Sequence, residues 1–277
     1  MNEAFVKRIL DIGLFPSVVP HFFDTAFTDT CDDSDSFKIF EGVSKKVCLF
    51  YTSRSGSTLL AEYMNQTQLF GDVQEHFNLH RMGKLSRRWG RMDMRDYLRR
   101  VVKESMGPNQ VFAFKGTLNS LVPLARVAEL PDHAADWHWV FIHRKDLVAQ
   151  AVSLYRARKT GTWHSGKKGL AKVRTPDYAF DEILACYNSL LRMIGQIELF
   201  ITRHRLNVLR LLYEDFTGSP EGAVEAICRH TGIQPPPGVF NVPEERTLQQ
   251  LRNKITEEYA LRFRQDLAER IGSSGGL

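Results

Sequence analysis

The chain has 277 residues, of which 43% are hydrophobic and 25% charged, the ordinary balance of a globular protein. Its net charge of +5 is spread along the sequence, so a small polyanionic ligand explains the basic excess as well as nucleic acid would. No stretch approaches the ~20 apolar residues that cross a bilayer. The four cysteines are scattered without a CxxC pair, which argues against a zinc site or a disulfide framework. These features together predict a cytoplasmic protein.

The beginning of the chain differs from the rest. Residues 1–45 contain two prolines and the acidic stretch Asp29–Asp35, and we expect an N-terminal extension that packs on the domain or on a partner chain. Residues 46–272 are expected to form a single α/β domain, and residues 273–277 a flexible tail.

Strands and helices alternate from residue 47 onward. Strands are predicted at 47–52, 69–73, 111–115, 138–142 and 207–212. Helices are predicted at 57–66, 92–106, 118–129, 146–160, 178–204, 220–231 and 246–270. This alternation predicts a three-layer α/β fold with a mostly parallel central sheet flanked by helices.

The predicted strands end in polar residues, which are Ser53–Arg54, Glu75–His76, Lys115, His143–Arg144 and Glu214–Asp215. Ligands of open parallel sheets bind at the carboxyl edge of the strands, where loops and helix N-termini converge. The five polar ends therefore indicate a single site. The alternative is that strand ends are simply exposed and therefore polar.

The first predicted strand runs into a turn rich in hydroxyl groups, FYTSRSGSTLL at residues 50–60. Gly56 permits a sharp turn and a close approach to an anion, and Ser57 and Thr58 begin a helix whose free N–H groups attract negative charge. The stretch differs from the Walker A motif, because Ser57 stands where that motif has lysine and the basic residue is Arg54. A capped turn without a ligand remains the alternative.

A second stretch, FIHRKDLVAQAVSLYRARKTGTW at 141–163, offers another phosphate position. Arg144 ends the fourth predicted strand and Ser153 lies two turns into the next helix, so both can reach one phosphate. An arginine guanidinium matches the oxygen spacing of a phosphate with two parallel hydrogen bonds. The alternative is a surface arginine and an unremarkable helical serine.

Together these motifs resemble the sulfotransferases that use 3′-phosphoadenosine 5′-phosphosulfate (PAPS), and within them the bacterial trehalose 2-sulfotransferase family. The resemblance continues through QEHF at 74–77, FAFKGT at 112–117, YEDF at 213–216 and LQQLRNKITEEYALRF at 248–263. It covers nearly everything from residue 47 to about 264, whereas 1–45, 78–100 and 164–176 have no counterpart. The resemblance implies a P-loop-like fold, PAPS as co-substrate without a metal, and a homodimer.

The resemblance also implies roles for individual residues. The 5′-phosphosulfate would be held by Arg54, Ser55, Gly56, Ser57 and Thr58, and the 3′-phosphate by Arg144 and Ser153. Glu75 matches the family's catalytic glutamate and would be the general base. Lys115 would stabilise the leaving bridging oxygen, and Arg54 is expected to share this catalytic charge. The acceptor is expected to be a carbohydrate or small metabolite.

Several alternatives remain open from the sequence. Glu75 is a plausible surface ion-pair partner, and His80 is a rival base because imidazole titrates near neutral pH. Lys115 is an equally plausible rim lysine. A P-loop nucleotide kinase and a non-catalytic nucleotide-binding module are the alternative functions.

Overall fold

The computed structural model describes residues 27, 39–90, 92–127, 130, 133–163, 175–240 and 254–274. The chain divides into two compact units. The first, here called the sheet unit, comprises Met1–Tyr51, Ser57–His143 and Gln196–Val242. The second, the helical unit, comprises Thr52–Gly56, Arg144–Gly195 and Pro243–Leu277. The predicted single domain over 46–272 stays a prediction, and most of the predicted N-terminal extension lies outside the described residues.

A parallel β-sheet forms the centre of the sheet unit. Its strands are β1 Lys45–Tyr51, β2 Val111–Gly116, β3 Trp137–His143 and β4 Val208–Leu212. The strand order is β2-β1-β3-β4, and every pair is parallel. Because parallel strands need crossover connections, helices lie between them in the chain. The prediction of an α/β fold with a parallel sheet flanked by helices is confirmed.

Side chains alternate between the two faces of the sheet, as the two-residue period of a strand requires. One face carries Val47, Leu49, Val111, Ala113, Val140 and Ile142, which belong to one buried apolar cluster. The opposite face is aromatic: Phe50 stacks on Trp139 at 4.9 Å between ring centroids, and Phe200 meets both rings edge-on. Both faces are therefore covered by packed side chains, which fixes the strand register.

The helices of the sheet unit are α1 Ser57–Gln66, α2 Leu79–Trp89, α3 Met94–Ser105, α4 Val122–Arg126, α7 Tyr213–Gly218 and α8 Pro220–Thr231. Short 3₁₀ turns cover Leu118–Leu121 and Ala134–Asp136. Leu60 and Met64 of α1 and Ile227 of α8 are fully buried in the apolar cluster on the sheet. These contacts hold the N-terminus of α1 at the carboxyl end of β1.

The helical unit contains α5 Leu147–Thr160, the first part of α6 Phe180–His204, and α9 Lys254–Ser274. Residues of all three helices share one buried cluster. Within it Phe180 stacks on Phe263 at 4.9 Å between ring centroids. This packing fixes the position of α5, the helix that follows Arg144.

The predicted strand at 69–73 is wrong. Gly71 has a φ of +76°, and the neighbouring amides bond elsewhere, Asp72 to the Ser105 carbonyl at 2.9 Å and Val73 to the Asn65 side chain at 2.7 Å. Only Gln74 pairs with a strand, forming a single parallel bridge to Phe114. Hydrogen bonds to α1 and to the end of α3 therefore replace a strand ladder.

The predicted helices agree with the structure except at some ends and in two omissions. Helices at 57–66 and 220–231 have the predicted bounds. Helices α2 and α7 were not predicted. The predicted helix at 118–129 is a 3₁₀ turn followed by one short α-helix, and the start of the predicted helix at 246–270 lies outside the described residues.

Gly71 is a position where any side chain should disturb the fold. An added Cβ would lie 2.1 Å from the Ser105 carbonyl oxygen and 2.6 Å from the Gly107 nitrogen. Gly71→Ala should lower the free energy of unfolding by about 3 kcal/mol or more, because the backbone must shift as well as remain left-handed. Urea unfolding of the purified variant measures this loss.

Gly42→Ala is the matched control, because Gly42 has the same φ of +76° but nothing within 4 Å of an added Cβ. It should lose only about 1 kcal/mol, the strain of a left-handed alanine. Equal losses in the two variants would contradict the steric explanation.

Candidate active site

A buried lysine connects two predicted site residues in the sheet unit. Lys115, in β2, is 4% exposed, and its Nζ donates a hydrogen bond to the Thr58 Oγ1 at 2.8 Å. The same Nζ lies 3.2 Å from the Glu75 Oε1, which makes an ion pair. The structure thus brings together Thr58 from the start of α1, Glu75 from the segment after α1, and Lys115 from the end of β2.

Two further residues hold the Glu75 carboxylate. The Tyr51 hydroxyl, at the end of β1, is hydrogen-bonded to Glu75, and the Lys115 Nζ lies 5.7 Å from the centre of the Tyr51 ring. On the other side, the Asn78 amide donates to the Glu75 Oε2 at 3.4 Å, while its Oδ1 accepts from the backbone N–H groups of His80 and Arg81. Asn78 therefore caps α2 and contacts the candidate base at once.

The charges around Lys115 oppose one another. Burial lowers the pKa of Lys115, and the positive charge of Arg81 adds to this effect. The carboxylates of Glu75 and Glu62 act in the opposite direction and favour the charged ammonium. Burial and the adjacent Glu75 carboxylate raise the pKa of Tyr51 well above its usual value, so this phenol remains a hydrogen-bond donor.

His76, next to the candidate base, is a structural residue. It is 2% exposed, and its Nε2 donates to the Asp72 carbonyl oxygen at 2.8 Å. Its own carbonyl oxygen accepts from the Tyr97 hydroxyl at 2.9 Å. Burial lowers the pKa of His76 to about 4, so the ring is neutral at physiological pH.

In the helical unit, the turn at Thr52–Gly56 is held by a buried glutamine. Gln150 of α5 is fully buried, and its amide donates to the Thr52 Oγ1 at 2.9 Å and to the Ser53 carbonyl oxygen at 2.8 Å. Within the turn the Ser55 N–H donates to the Thr52 carbonyl oxygen at 3.2 Å. Gly56 has a φ of +85°, the conformation that glycine adopts without strain.

Of the two arginines predicted to bind phosphate, Arg54 belongs to this turn and Arg144 contacts it. The Arg54 Nε donates to the Ser153 Oγ at 3.0 Å, and its Nη1 donates to the Trp163 carbonyl oxygen. The Arg144 Nη1 donates to the Arg54 carbonyl oxygen at 3.3 Å. Arg54 itself has a φ of +68°. The structure therefore places Arg54, Arg144 and Ser153 together in the helical unit.

A buried hydroxyl in the turn has an unused hydrogen-bonding capacity. The Ser55 side chain is fully buried, and its Oγ has no hydrogen-bond partner among the described residues. Leaving a buried polar atom without a hydrogen bond costs about 1–3 kcal/mol, so such an atom usually binds a ligand or a water molecule. The free hydroxyl and the two guanidinium groups fit an anionic ligand.

The comparison with known families decides the relationship of this chain. The sequence model of the Stf0 sulphotransferase family matches residues 47–266. The chain belongs to this family. The resemblance predicted from the motifs is confirmed, and the matched range contains every candidate site residue described above.

A second comparison is with an individual protein. A trehalose 2-sulfotransferase of Mycolicibacterium smegmatis is 30% identical to this Stf0 sulphotransferase-family chain over 153 residues. The match covers 40% of this chain and 56% of that protein, so it spans little more than half of the relative's length.

Two further observations on the described residues bear on other kinds of site. None of the helices within the described ranges is long and apolar enough to cross a membrane. In the same part of the chain, no three His, Cys, Asp or Glu side chains are grouped so that they would hold a metal ion.

Sequence reasoning missed Tyr51, Asn78 and Gln150. Gln150 carries a signal that was available, since it is a polar residue within the apolar run LVAQAVSLY and lies three residues before Ser153 on the same helical face. Tyr51 and Asn78 carry no such signal, because their contacts with Glu75 arise only when separate segments fold together.

The buried neutral His76 should make stability depend on pH. Between pH 6.5 and about 4 the unfolded chain binds a proton that the folded protein excludes, so stability falls as the pH drops through this window. His76→Gln keeps an amide donor for the Asp72 carbonyl but cannot titrate. Wild type should lose on the order of 2 kcal/mol more than this variant between pH 7 and pH 5.

Urea unfolding at the two pH values measures the loss of stability in the wild type and in the variant. Subtracting one loss from the other cancels the contributions of all other titrating groups. Equal losses in the wild type and the variant would show that the fold does not exclude the proton from His76.

Proposed function

We propose that this chain is a sulfotransferase that moves a sulfuryl group from PAPS to a hydroxyl of a carbohydrate or small metabolite by metal-independent in-line displacement. The observation that carries the proposal is that Lys115 bonds both Glu75, the candidate base, and Thr58. Thr58 is the last residue of the segment 54–58, which we call the phosphate-binding turn. Membership of the Stf0 sulphotransferase family supports the reaction class. The similarity to a trehalose 2-sulfotransferase supports a carbohydrate acceptor.

The donor is assigned to the residues that the motifs indicate. The 5′-phosphosulfate binds Arg54, Ser55, Gly56, Ser57 and Thr58, and the 3′-phosphate binds Arg144 and Ser153. PAPS supplies an activated sulfuryl group on a stable leaving group. The buried Ser55 hydroxyl, which has no hydrogen-bond partner among the described residues, and the N-terminus of α1 support this assignment, because both favour anionic oxygens.

The acceptor is activated by Glu75, which removes the proton of the attacking hydroxyl. The contacts with Lys115, Asn78 and Tyr51 support this role because they fix the position of the carboxylate. The cations of Lys115 and Arg54 stabilise the charge that grows on the leaving oxygen. In the part of the structure described, His80 is exposed and bonds Asn78 only through its backbone N–H, which favours Glu75 as the base.

The protein is further proposed to act in the cytoplasm as a homodimer. Cys48, Cys186 and Cys228 are free thiols, which agrees with a reducing compartment. The homodimer follows from the family resemblance alone, and size-exclusion chromatography with light scattering measures it directly.

Donor specificity tests the assignment of the two phosphate positions. In isothermal titration, adenosine 3′,5′-bisphosphate should bind and adenosine 5′-phosphate should bind far more weakly, because only the former carries the 3′-phosphate. Arg144→Gln should weaken bisphosphate binding about 10- to 150-fold, the loss expected for one charge-assisted hydrogen bond.

Arg99→Gln is the control for the change in net charge, since Arg99 is paired with Asp96 on α3. It should bind the bisphosphate as wild type does. Equal affinity of wild type for ATP and for the bisphosphate would contradict the proposal and favour the nucleotide kinase.

Replacing the base tests whether the protein is an enzyme. Glu75→Gln should lower turnover roughly 10²–10⁴-fold, because the acceptor proton then has no positioned base, while the bisphosphate still binds. Turnover is measured by mass spectrometry as products one sulfuryl group heavier, with trehalose and with a metabolite extract supplied with PAPS. Glu104→Gln, which removes an exposed carboxylate paired with Arg100, is the control.

Unchanged turnover in Glu75→Gln would exclude this residue as the base. Donor binding without any transfer in wild type would favour the non-catalytic binding module.

A further inference from the structure

The ammonium group of Lys115 faces two different acceptors. One is the carboxylate of Glu75 at 3.2 Å and the other is the hydroxyl of Thr58 at 2.8 Å. Lys115 is 4% exposed, so it has almost no water to replace either partner. A buried cation without a compensating charge is strongly unfavourable. Any change at one acceptor must therefore alter the interaction with the other.

Glu75 is the carboxylate in direct contact with Lys115 in the described part of the chain. Glu62 contributes from further away, and Arg81 acts against the ammonium charge. The ion pair with Glu75 thus carries most of the compensation. When Glu75 becomes neutral, the field of the Lys115 cation is no longer cancelled nearby.

The contact with Thr58 also orients the Thr58 hydroxyl. A threonine Oγ1 that accepts from an ammonium directs its own proton elsewhere, since a hydroxyl has one donor and two acceptor positions. Lys115 thereby makes Thr58 a hydrogen-bond donor toward its other side. In the proposed function, the 5′-phosphosulfate accepts that bond.

We propose that Lys115 is a cation shared between Glu75 and the phosphate-binding turn, and that it couples proton uptake by Glu75 to tighter binding of the departing bisphosphate through Thr58. This inference rests on the proposed function, and it specifies that the Lys115 charge acts on the leaving group through the Thr58 hydroxyl. It deepens the proposed mechanism, because the base then controls the charge that stabilises the leaving group.

The chemical step balances as follows. The O–H bond of the acceptor breaks, its proton goes to the Glu75 carboxylate, and the acceptor oxygen forms a bond to sulfur. The bond from sulfur to the bridging oxygen breaks, and its electron pair stays on the leaving adenosine 3′,5′-bisphosphate. Glu75 therefore loses its negative charge as negative charge appears on the leaving group. At that moment the Lys115 cation is released from its ion pair and polarises Thr58 more strongly.

The coupling is reciprocal and can be measured by binding alone. If neutral Glu75 strengthens bisphosphate binding through Lys115, an uncharged isostere at 75 must strengthen it as well. Glu75→Gln imitates the carboxyl group after proton uptake. It should bind adenosine 3′,5′-bisphosphate more tightly than wild type, by on the order of fivefold.

A double-mutant cycle separates this coupling from simple charge repulsion between Glu75 and the ligand. The cycle comprises wild type, Glu75→Gln, Lys115→Met and the double variant, titrated with adenosine 3′,5′-bisphosphate at one pH and salt concentration. Glu75→Gln should tighten binding only when Lys115 is present, so the double variant should bind as Lys115→Met does. Glu104→Gln, with the same change in net charge, should leave the affinity unchanged.

A second variant covers a failure of Lys115→Met to fold. Thr58→Val removes the hydroxyl that accepts from Lys115 and keeps the side-chain shape. In this background the gain from Glu75→Gln should be lost, because the connection to the ligand is missing. Circular dichroism of each variant establishes that it is folded.

Three results would overturn the inference. Equal affinity of wild type and Glu75→Gln would show that the base and the turn are independent. A gain that persists in the Lys115→Met or Thr58→Val background would show ordinary repulsion by the Glu75 charge. Absence of bisphosphate binding in wild type would instead refute the proposed function, and the coupling with it.

Discussion

The ammonium group of Lys115, buried at the carboxyl end of β2, determines which polar side chains surround it in the sheet unit. Because Lys115 has little access to water, its charge is stable only where oxygen atoms surround it. The parallel strand order brings the ends of β1 and β2 side by side, and α1 starts at the end of β1. Thr58 and Glu75 supply the oxygens, and Tyr51 adds a donor for Glu75. The buried Lys115 cation thus holds the carboxylate of Glu75, the candidate base, in place.

Much of this arrangement is readable from the sequence because it follows from regular elements. The hydrophobic periods predicted all four strands of the sheet and, except for α2, the helices between them. Two of the polar strand ends, Glu75 and Lys115, lie together in the structure. Lys115 and Thr58 belong to such elements, so their meeting follows from parallel pairing of β1 with β2. Glu75 meets them although the strand predicted before it is wrong, because Gln74 bridges to Phe114 and keeps the segment beside β2.

The remaining features depend on information that no local pattern contains. Asn78, the capping residue of α2, carries no local signal of a contact with Glu75. In the sequence, Tyr51 only lies at the end of a predicted buried strand. Glu75, the partner of its hydroxyl group, lies 24 residues further along the chain. Such contacts arise from tertiary packing, which outweighs local preference.

The left-handed backbone of Arg54 has a consequence for the evolution of this chain. A non-glycine residue at a φ of +68° holds about 1–2 kcal/mol of strain, and glycine would remove it. Glycine would also remove the guanidinium that contacts Ser153 and the Trp163 carbonyl. In the proposed function this guanidinium binds the anionic donor, which is a reason for the chain to retain the strain at Arg54. If Arg54 binds the donor as proposed, an engineered heat-resistant variant should leave position 54 unchanged in spite of its backbone strain.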